Sequence, residues 1–189
     1  MTAPTIPRVT PEDLLAMDDG HRYELIDGEL VEREMSYESS SVGARFIVEF
    51  GIWDRTSHRA NLAGADAGLQ IYPWAPSQVR FADASLTFLD RLPGGRPGDG
   101  HSRVAPDVVV EVVSPNDGAD EVERKVQEYL RAGVRLVWVA YPETRTVHIF
   151  RPNGNDSTIR GDERLTGEEI LPGFSVSLDE LFGGVESAK

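Results

Sequence analysis

One carboxylate interrupts an otherwise apolar run of the sequence. Residues 108–113 read Val-Val-Val-Glu-Val-Val, a β-branched pattern that is typical of a strand buried on both faces. The exception is Glu111. An ionised carboxylate buried there is costly unless a cation of the chain or a metal ion lies opposite it. We therefore expect Glu111 to be part of a functional site. The alternative for Glu111 is a structural carboxylate at the end of the strand, paired with an arginine.

Three polar residues on other predicted elements are further candidates. Lys125 lies at the edge of the apolar stripe of a helix, about 60° from the direction of Val122, so its ammonium can reach a margin of the sheet. The alternative for Lys125 is a solvated helix lysine. Glu49 lies in the middle of a helix, where most glutamates face solvent, and His101 borders a glycine-rich loop from which it could approach a substrate. The sequence does not decide the roles of Glu49 and His101.

The elements around Glu111 form a strand, a helix and a second strand. Residues 108–113, 120–132 and 135–140 supply them, and such a unit is normally a right-handed crossover between parallel strands. The helix is predicted to open with a capping box at Asp120 and Glu123. A strand pair is predicted for residues 63–72 and 79–89, with Asp83 at the start of its second strand, on the more polar face.

The remaining elements flank this centre. Asp27-Gly28 predicts the two-residue turn of a hairpin, in which Glu24 and Glu29 are expected to face solvent. Helices are predicted for residues 10–17 and 40–53, and a strand meander follows residue 140, with a short helix near residues 178–182.

Composition limits the class of protein. The chain has 189 residues, which suits a single domain over residues 1–189, and it lacks cysteine, which excludes thiolate chemistry. No apolar stretch is long enough to cross a membrane and no signal-peptide core is present, so we expect a cytoplasmic protein. The net charge of −13 opposes loose binding to DNA, but clustered carboxylates suit an enzyme that binds a hard cation.

Several separated motifs resemble the Uma family of putative restriction endonucleases. They are residues 23–30, residues 106–115, Lys125 with residues 128–134, Trp138, and residues 171–174. The resemblance covers nearly the whole chain. It implies the PD-(D/E)xK nuclease superfamily: an α/β, restriction-endonuclease-like fold with a mixed β-sheet flanked by helices, here with an N-terminal hairpin and a C-terminal strand meander. It also implies Mg²⁺-dependent hydrolysis of phosphodiester bonds.

The resemblance assigns the site residue by residue. Asp107 follows a literal proline, but four strand residues place it about 13 Å from Glu111, too far to share one ion. Asp83 is the better match, although Ala82 stands where the family has proline. The lysine expected two residues after Glu111 is missing, and Lys125 matches a lysine moved to the next helix.

The resemblance thus predicts Asp83, Glu111 and Lys125 as catalytic residues. Asp83, Glu111 and the Val112 carbonyl would bind Mg²⁺, or Mn²⁺. The expected partner is nucleic acid, DNA in particular, with no membrane, and a homodimer is one possible assembly. The alternative is a non-catalytic nuclease-like scaffold for protein or DNA contact. A two-carboxylate glycosidase has no further support in the sequence.

Overall fold

The structure is a computed structural model that describes residues 8–34 and 36–183. Its helices are α1 (Pro11–Ala16), α2 (Tyr37–Asp54), α3 (Ala119–Arg131) and α4 (Leu178–Phe182). Its strands are β1 (Tyr23–Ile26), β2 (Glu29–Glu32), β3 (Ala60–Gly64), β4 (Gly68–Leu69), β5 (Arg80–Phe81), β6 (Ala84–Phe88), β7 (Val108–Val112), β8 (Leu136–Tyr141), β9 (Thr146–Phe150), β10 (Ser157–Ile159), β11 (Arg164–Gly167) and β12 (Leu171–Ser177).

A six-stranded mixed sheet carries Glu111 near its middle. The strand order is β10-β9-β8-β7-β6-β3, and β7 runs parallel to β8 while the other neighbours in this sheet are antiparallel. The parallel pair is joined through α3, which confirms the crossover unit predicted from the sequence. β7 is buried on both faces, as its run of valines predicts.

Helices and a hairpin cover the two faces of this sheet. On one face, α2, α4 and the β11–β12 hairpin enclose a core that includes Phe46, Phe50 and Trp138. On the other face, α3 packs Val126 and Tyr129 against the sheet. Because side chains alternate along a strand, Val110 and Val112 join the first core and Glu111 points toward α3. The α/β architecture predicted for the chain is confirmed.

The N-terminal hairpin, β1–β2, contacts the rest of the chain beside β5. Asp27 and Gly28 have φ values of 52° and 82°, the left-handed conformations that a tight hairpin turn requires. Leu25 exchanges backbone hydrogen bonds with Val79, both at 2.9 Å. This contact brings β1 beside β5, so the hairpin is not a solvated appendage.

Three boundaries differ from the sequence predictions. The strand predicted for residues 63–72 is split, because a turn closed by the Ala67 N–H and the Gly64 carbonyl separates β3 from β4. The strand predicted for residues 79–89 is also split, at Asp83, into β5 and β6. The predicted capping box of α3 is wrong, since the helix begins at Ala119 with Gly118 as its N-cap and no side-chain cap. Within residues 8–34 and 36–183, no helix combines the length and apolar composition that a membrane crossing needs.

Candidate active site

Asp83 and Glu111 meet where β6 begins beside the end of β7. The antiparallel register ends with Ala84 opposite Val110, so Asp83 and Glu111 are the next residues along the two chain segments, and both line one cleft. Val112 lies beyond the residues of β7 that pair with β6, and its N–H donates a hydrogen bond to Asp83 Oδ2 at 2.7 Å. Both carboxylates line a cleft of about 230 Å³, together with Glu24, Arg33 and Lys125. We call it the acidic cleft.

Two side chains of α3 hold the Glu111 carboxylate. The Tyr129 hydroxyl donates to Glu111 Oε1 at 2.7 Å, and the Lys125 ammonium lies 3.2 Å from Glu111 Oε2. Residues four apart on a helix share one face, which is why Lys125 and Tyr129 reach the same carboxylate. The Lys125 side chain is 17% exposed, so it is not a solvated helix lysine.

Glu24 is a component of the cleft that the sequence analysis assigned to solvent. That prediction is wrong: Glu24 is 4% exposed, and its Oε1 lies 3.2 Å from the Lys125 ammonium. Its other oxygen accepts from Arg80 at 2.7 Å. Glu29, on the same hairpin, is exposed as predicted.

Arg80 is the cation around which this part of the chain is assembled. It is fully buried and forms ion pairs of 2.7 Å with Glu24, Glu121 and Glu128. These pairs tie β1, β5 and α3 together behind the acidic cleft. The sequence signal for this cluster was an arginine between two apolar residues, Val79 and Phe81. Such an arginine is expected to be buried, and a buried cation needs a carboxylate partner.

Burial and neighbouring charges set the protonation states in the cleft. Burial, followed by the adjacent Glu111 carboxylate, raises the pKa of Asp83 to about 7. Burial also opposes the charged forms of Glu24 and Lys125. For Glu24, the charges of Lys125 and Arg80 outweigh that penalty and lower its pKa. For Lys125, the carboxylates of Glu111 and Glu24 outweigh it and raise its pKa above the ordinary value, so Lys125 stays an ammonium.

The other candidates lie outside the acidic cleft. Asp107 is fully buried at the opposite end of β7, where Arg91 and Arg135 pair with its Oδ1 at 2.9 and 3.1 Å. Glu49 has Glu180 and Arg164 as its charged neighbours, and burial with Glu180 raises its pKa. The Nε2 atom of His101 lies 3.2 Å from the carbonyl oxygen of Pro11.

The cleft offers oxygen donors that suit a hard divalent cation. Among the described residues, no group of three or more His, Asp or Glu side chains is arranged to hold a metal ion. The available donors are the Asp83 and Glu111 carboxylates and the Val112 carbonyl. Mg²⁺ commonly binds through one or two carboxylates and keeps several waters, so this set fits. The raised pKa of Asp83 fits as well, because a cation would offset the repulsion between the two carboxylates.

Comparison with known proteins agrees with this geometry. Residues 11–179 match the Uma2 family, described as "Putative restriction endonuclease". The chain belongs to the Uma2 family. The family resemblance predicted from the sequence is thereby confirmed. No curated protein matches the chain.

A solved structure shares the Uma2 fold described here. It is a protein of Anabaena variabilis whose title reads "putative nuclease belonging to DUF820". The two chains superpose with a TM-score of 0.72 at 18% sequence identity, over 92% of this chain and 97% of that chain. The match supports the mixed sheet flanked by helices as a nuclease-like fold.

Proposed function

We propose that this Uma2 protein is a nuclease that hydrolyses phosphodiester bonds of DNA with Mg²⁺, or Mn²⁺ in its place. The observation that carries the proposal is the placement of Asp83 and Glu111 in one cleft, with the pKa of Asp83 raised to about 7. Two carboxylates pressed together in a buried site destabilise each other unless a cation joins them. The family to which the chain belongs supports the same reaction class.

The proposed metal ligands are Asp83, Glu111 and the Val112 carbonyl. A divalent ion held there would polarise a phosphate oxygen and lower the pKa of a bound water. Asp83 would bind it as the ionised carboxylate, oriented by the Val112 N–H. Glu111 is oriented by the Tyr129 hydroxyl, and burial with the neighbouring Glu111 charge holds the pKa of Tyr129 well above its ordinary value, so the phenol remains a donor.

Lys125 would act through its charge. Because its pKa is raised, the ammonium does not release a proton near neutral pH and is not a general base. It can donate hydrogen bonds to the attacking water or to a phosphate oxygen, and so stabilise the negative charge that develops in the transition state. Glu24 also positions the ammonium, which lies 3.2 Å from both Glu24 and Glu111.

A second candidate is a non-catalytic scaffold that contacts protein or DNA. The net charge of −13 favours it, because a strongly acidic surface repels the polyanion that a nuclease must bind. The carboxylate pair opposes it, because burial and the neighbouring Glu111 charge raise the pKa of Asp83, and a scaffold without catalysis has no need of that repulsion. We therefore favour the nuclease.

Single-turnover cleavage of labelled DNA with Mg²⁺ tests the choice. We expect wild type and Glu29→Gln, an exposed change on β2, to cleave alike, and Glu111→Gln to lose at least about 10² in rate. Equal rates in all three proteins would identify a contaminant or another site. Wild type that cleaves neither DNA nor RNA, with Mg²⁺ or Mn²⁺, would favour the scaffold.

A further inference from the structure

A second cavity, of about 400 Å³, is lined by residues of β3, β4 and β6 and by the loop that follows β6. Its floor is the β3–β6 strand pair, and its cover is the glycine- and proline-rich loop of residues 92–104. We call it the loop cavity. Its volume falls in the range of about 300–1,000 Å³ that is usual for small-molecule sites.

The floor of the loop cavity carries polar side chains that the protein does not use. Ser85 and Thr87 are each 5% exposed, and within the described ranges neither hydroxyl forms a hydrogen bond to protein. The strand register places Asn61 opposite Thr87 and Ala63 opposite Ser85, so two hydroxyls and an amide stand side by side. The two hydroxyls and the half-buried Asn61 amide line the cavity, where an occupant can form hydrogen bonds to them.

The walls of the loop cavity favour a neutral occupant with apolar surface. Leu69 and Leu92 supply apolar surface, and the charged lining residues, Asp99 and Arg103, are exposed. Burial lowers the pKa of His101, so its ring is neutral near pH 7. A nucleobase has this chemistry: apolar faces, and donors and acceptors around a neutral edge.

The loop cavity adjoins the proposed reaction centre. Ser85 and Thr87 share one face of β6, and Asp83 comes directly before that strand, so the backbone of Asp83 lies about 7 Å from that of Ser85. Phe81 lines the acidic cleft, and its ring meets the His101 ring of the loop cavity at 6.1 Å, edge to face. Phe81 and His101 therefore form a boundary between the two sites.

We propose that the loop cavity receives one nucleobase of the substrate, held by Ser85, Thr87 and Asn61, while the adjoining phosphate lies at Asp83 and Glu111. The assignment of the phosphate rests on the nuclease proposed above. Enzymes that modify a nucleobase bind it turned out of its stack, by hydrogen bonds to its edge and packing on its faces, and the loop cavity offers the same kinds of contact. Such a pocket binds the substrate without charge–charge attraction. An acidic protein needs binding of this kind, because its net charge repels a polyanion.

Binding of free nucleosides tests the pocket without metal or cleavage. The four deoxynucleosides are titrated in EDTA and followed by saturation-transfer NMR. We expect wild type to bind at least one of them, and Ser85→Ala/Thr87→Val to bind it about ten-fold more weakly, because two neutral hydrogen bonds are lost. The control, Thr166→Val/Ser175→Ala, makes the same two changes on a cross-strand pair of β11–β12, outside the cavity, and should bind like wild type.

A second variant acts by volume. Ala63→Leu fills the cavity from its floor and should abolish nucleoside binding, with folding checked by circular dichroism. A wild type that binds no nucleoside overturns the proposal, as does binding that neither variant weakens. Glu111→Gln should lose cleavage and keep nucleoside binding. If no protein cleaves nucleic acid but the variants lose nucleoside binding, the nuclease fails and the base pocket stands.

Discussion

The ammonium of Lys125 lies 3.2 Å from a carboxylate oxygen of Glu111. The contact joins α3 to the centre of the sheet, and it supplies the cation that the buried carboxylate of β7 requires. Since Glu24 lies at the same distance from the ammonium, Lys125 is held between two carboxylates. A cation fixed in this way is oriented before substrate arrives, which is the condition for electrostatic catalysis.

Lys125→Met should remain folded, with a lower free energy of unfolding because Glu111 and Glu24 lose their shared cation, and should slow DNA cleavage by about 10² to 10⁴ fold, the usual effect of removing one electrostatic or proton-transfer group. Lys125→Arg should not restore the rate, because a planar guanidinium does not place its charge at the same point. The control is Arg124→Met, which removes a charge from the adjacent, exposed position. The measurement is single-turnover cleavage. A rate for Lys125→Met equal to that of Arg124→Met would contradict the role.

The strand that holds Glu111 could be predicted because its signal is local. Six β-branched or acidic residues in a row, followed by a helical stripe and a second apolar run, leave few topologies open. The tight turn at Asp27 and Gly28 was equally local, and the hairpin formed as predicted. Asp83 and Lys125 needed the family resemblance, because no spacing rule connects a strand end to a helix 42 residues later.

Glu24 could not be predicted because its environment is built from distant elements. In the hairpin alone, alternating charges indicate a solvated face, but the backbone hydrogen bonds between Leu25 and Val79 set β1 beside β5, where Glu24 contacts Arg80 and Lys125. Arg80 then converts Glu24 from a surface residue into a buried ion-pair partner. The break between β5 and β6 was hidden for a related reason: the Asp83 side chain takes a strand hydrogen bond from Val112, which no propensity encodes.

Mg²⁺ or Mn²⁺ should raise the thermal unfolding midpoint of wild type, because an ion that binds the folded state alone stabilises it by mass action. Asp83→Asn/Glu111→Gln should abolish this shift, while Glu29→Gln/Asp90→Asn, two matched changes at exposed positions, should keep it. Thermal scans at increasing ion concentration provide the measurement. A metal-dependent shift that persists in the first double variant would place the ion elsewhere.

Arg80→Met should lower the free energy of unfolding by about 3–5 kcal/mol, because it leaves Glu24, Glu121 and Glu128 without their shared cation. Arg22→Met is the control, since its ion pair with Glu32 is exposed on both sides and should contribute less than about 1 kcal/mol. Urea unfolding gives both values. Similar losses in the two variants would show that the buried cluster adds no particular stability.

The last prediction concerns the pH dependence of stability at Asp83. In the unfolded chain this carboxyl ionises near its ordinary pKa of 3.8, whereas in the folded protein the pKa is about 7. Between these values the folded state holds the proton that the unfolded state has lost, so Asp83 makes the folded protein less stable as pH rises through this window. Above about pH 7 both states are ionised and the penalty is constant.

Asp83→Asn removes this titration and keeps an oxygen acceptor for the Val112 N–H. Relative to wild type, the variant should therefore gain up to about 4 kcal/mol of unfolding free energy between about pH 4.5 and pH 7.5 in metal-free buffer. Contributions from Glu24, whose pKa is lowered and whose pH dependence is opposite, are common to both proteins and cancel in the difference. Urea unfolding at several pH values measures it. If the free energies of unfolding of the two proteins change with pH in parallel, Asp83 is ionised without difficulty in the folded protein. That result would contradict the proposed need for a cation between Asp83 and Glu111.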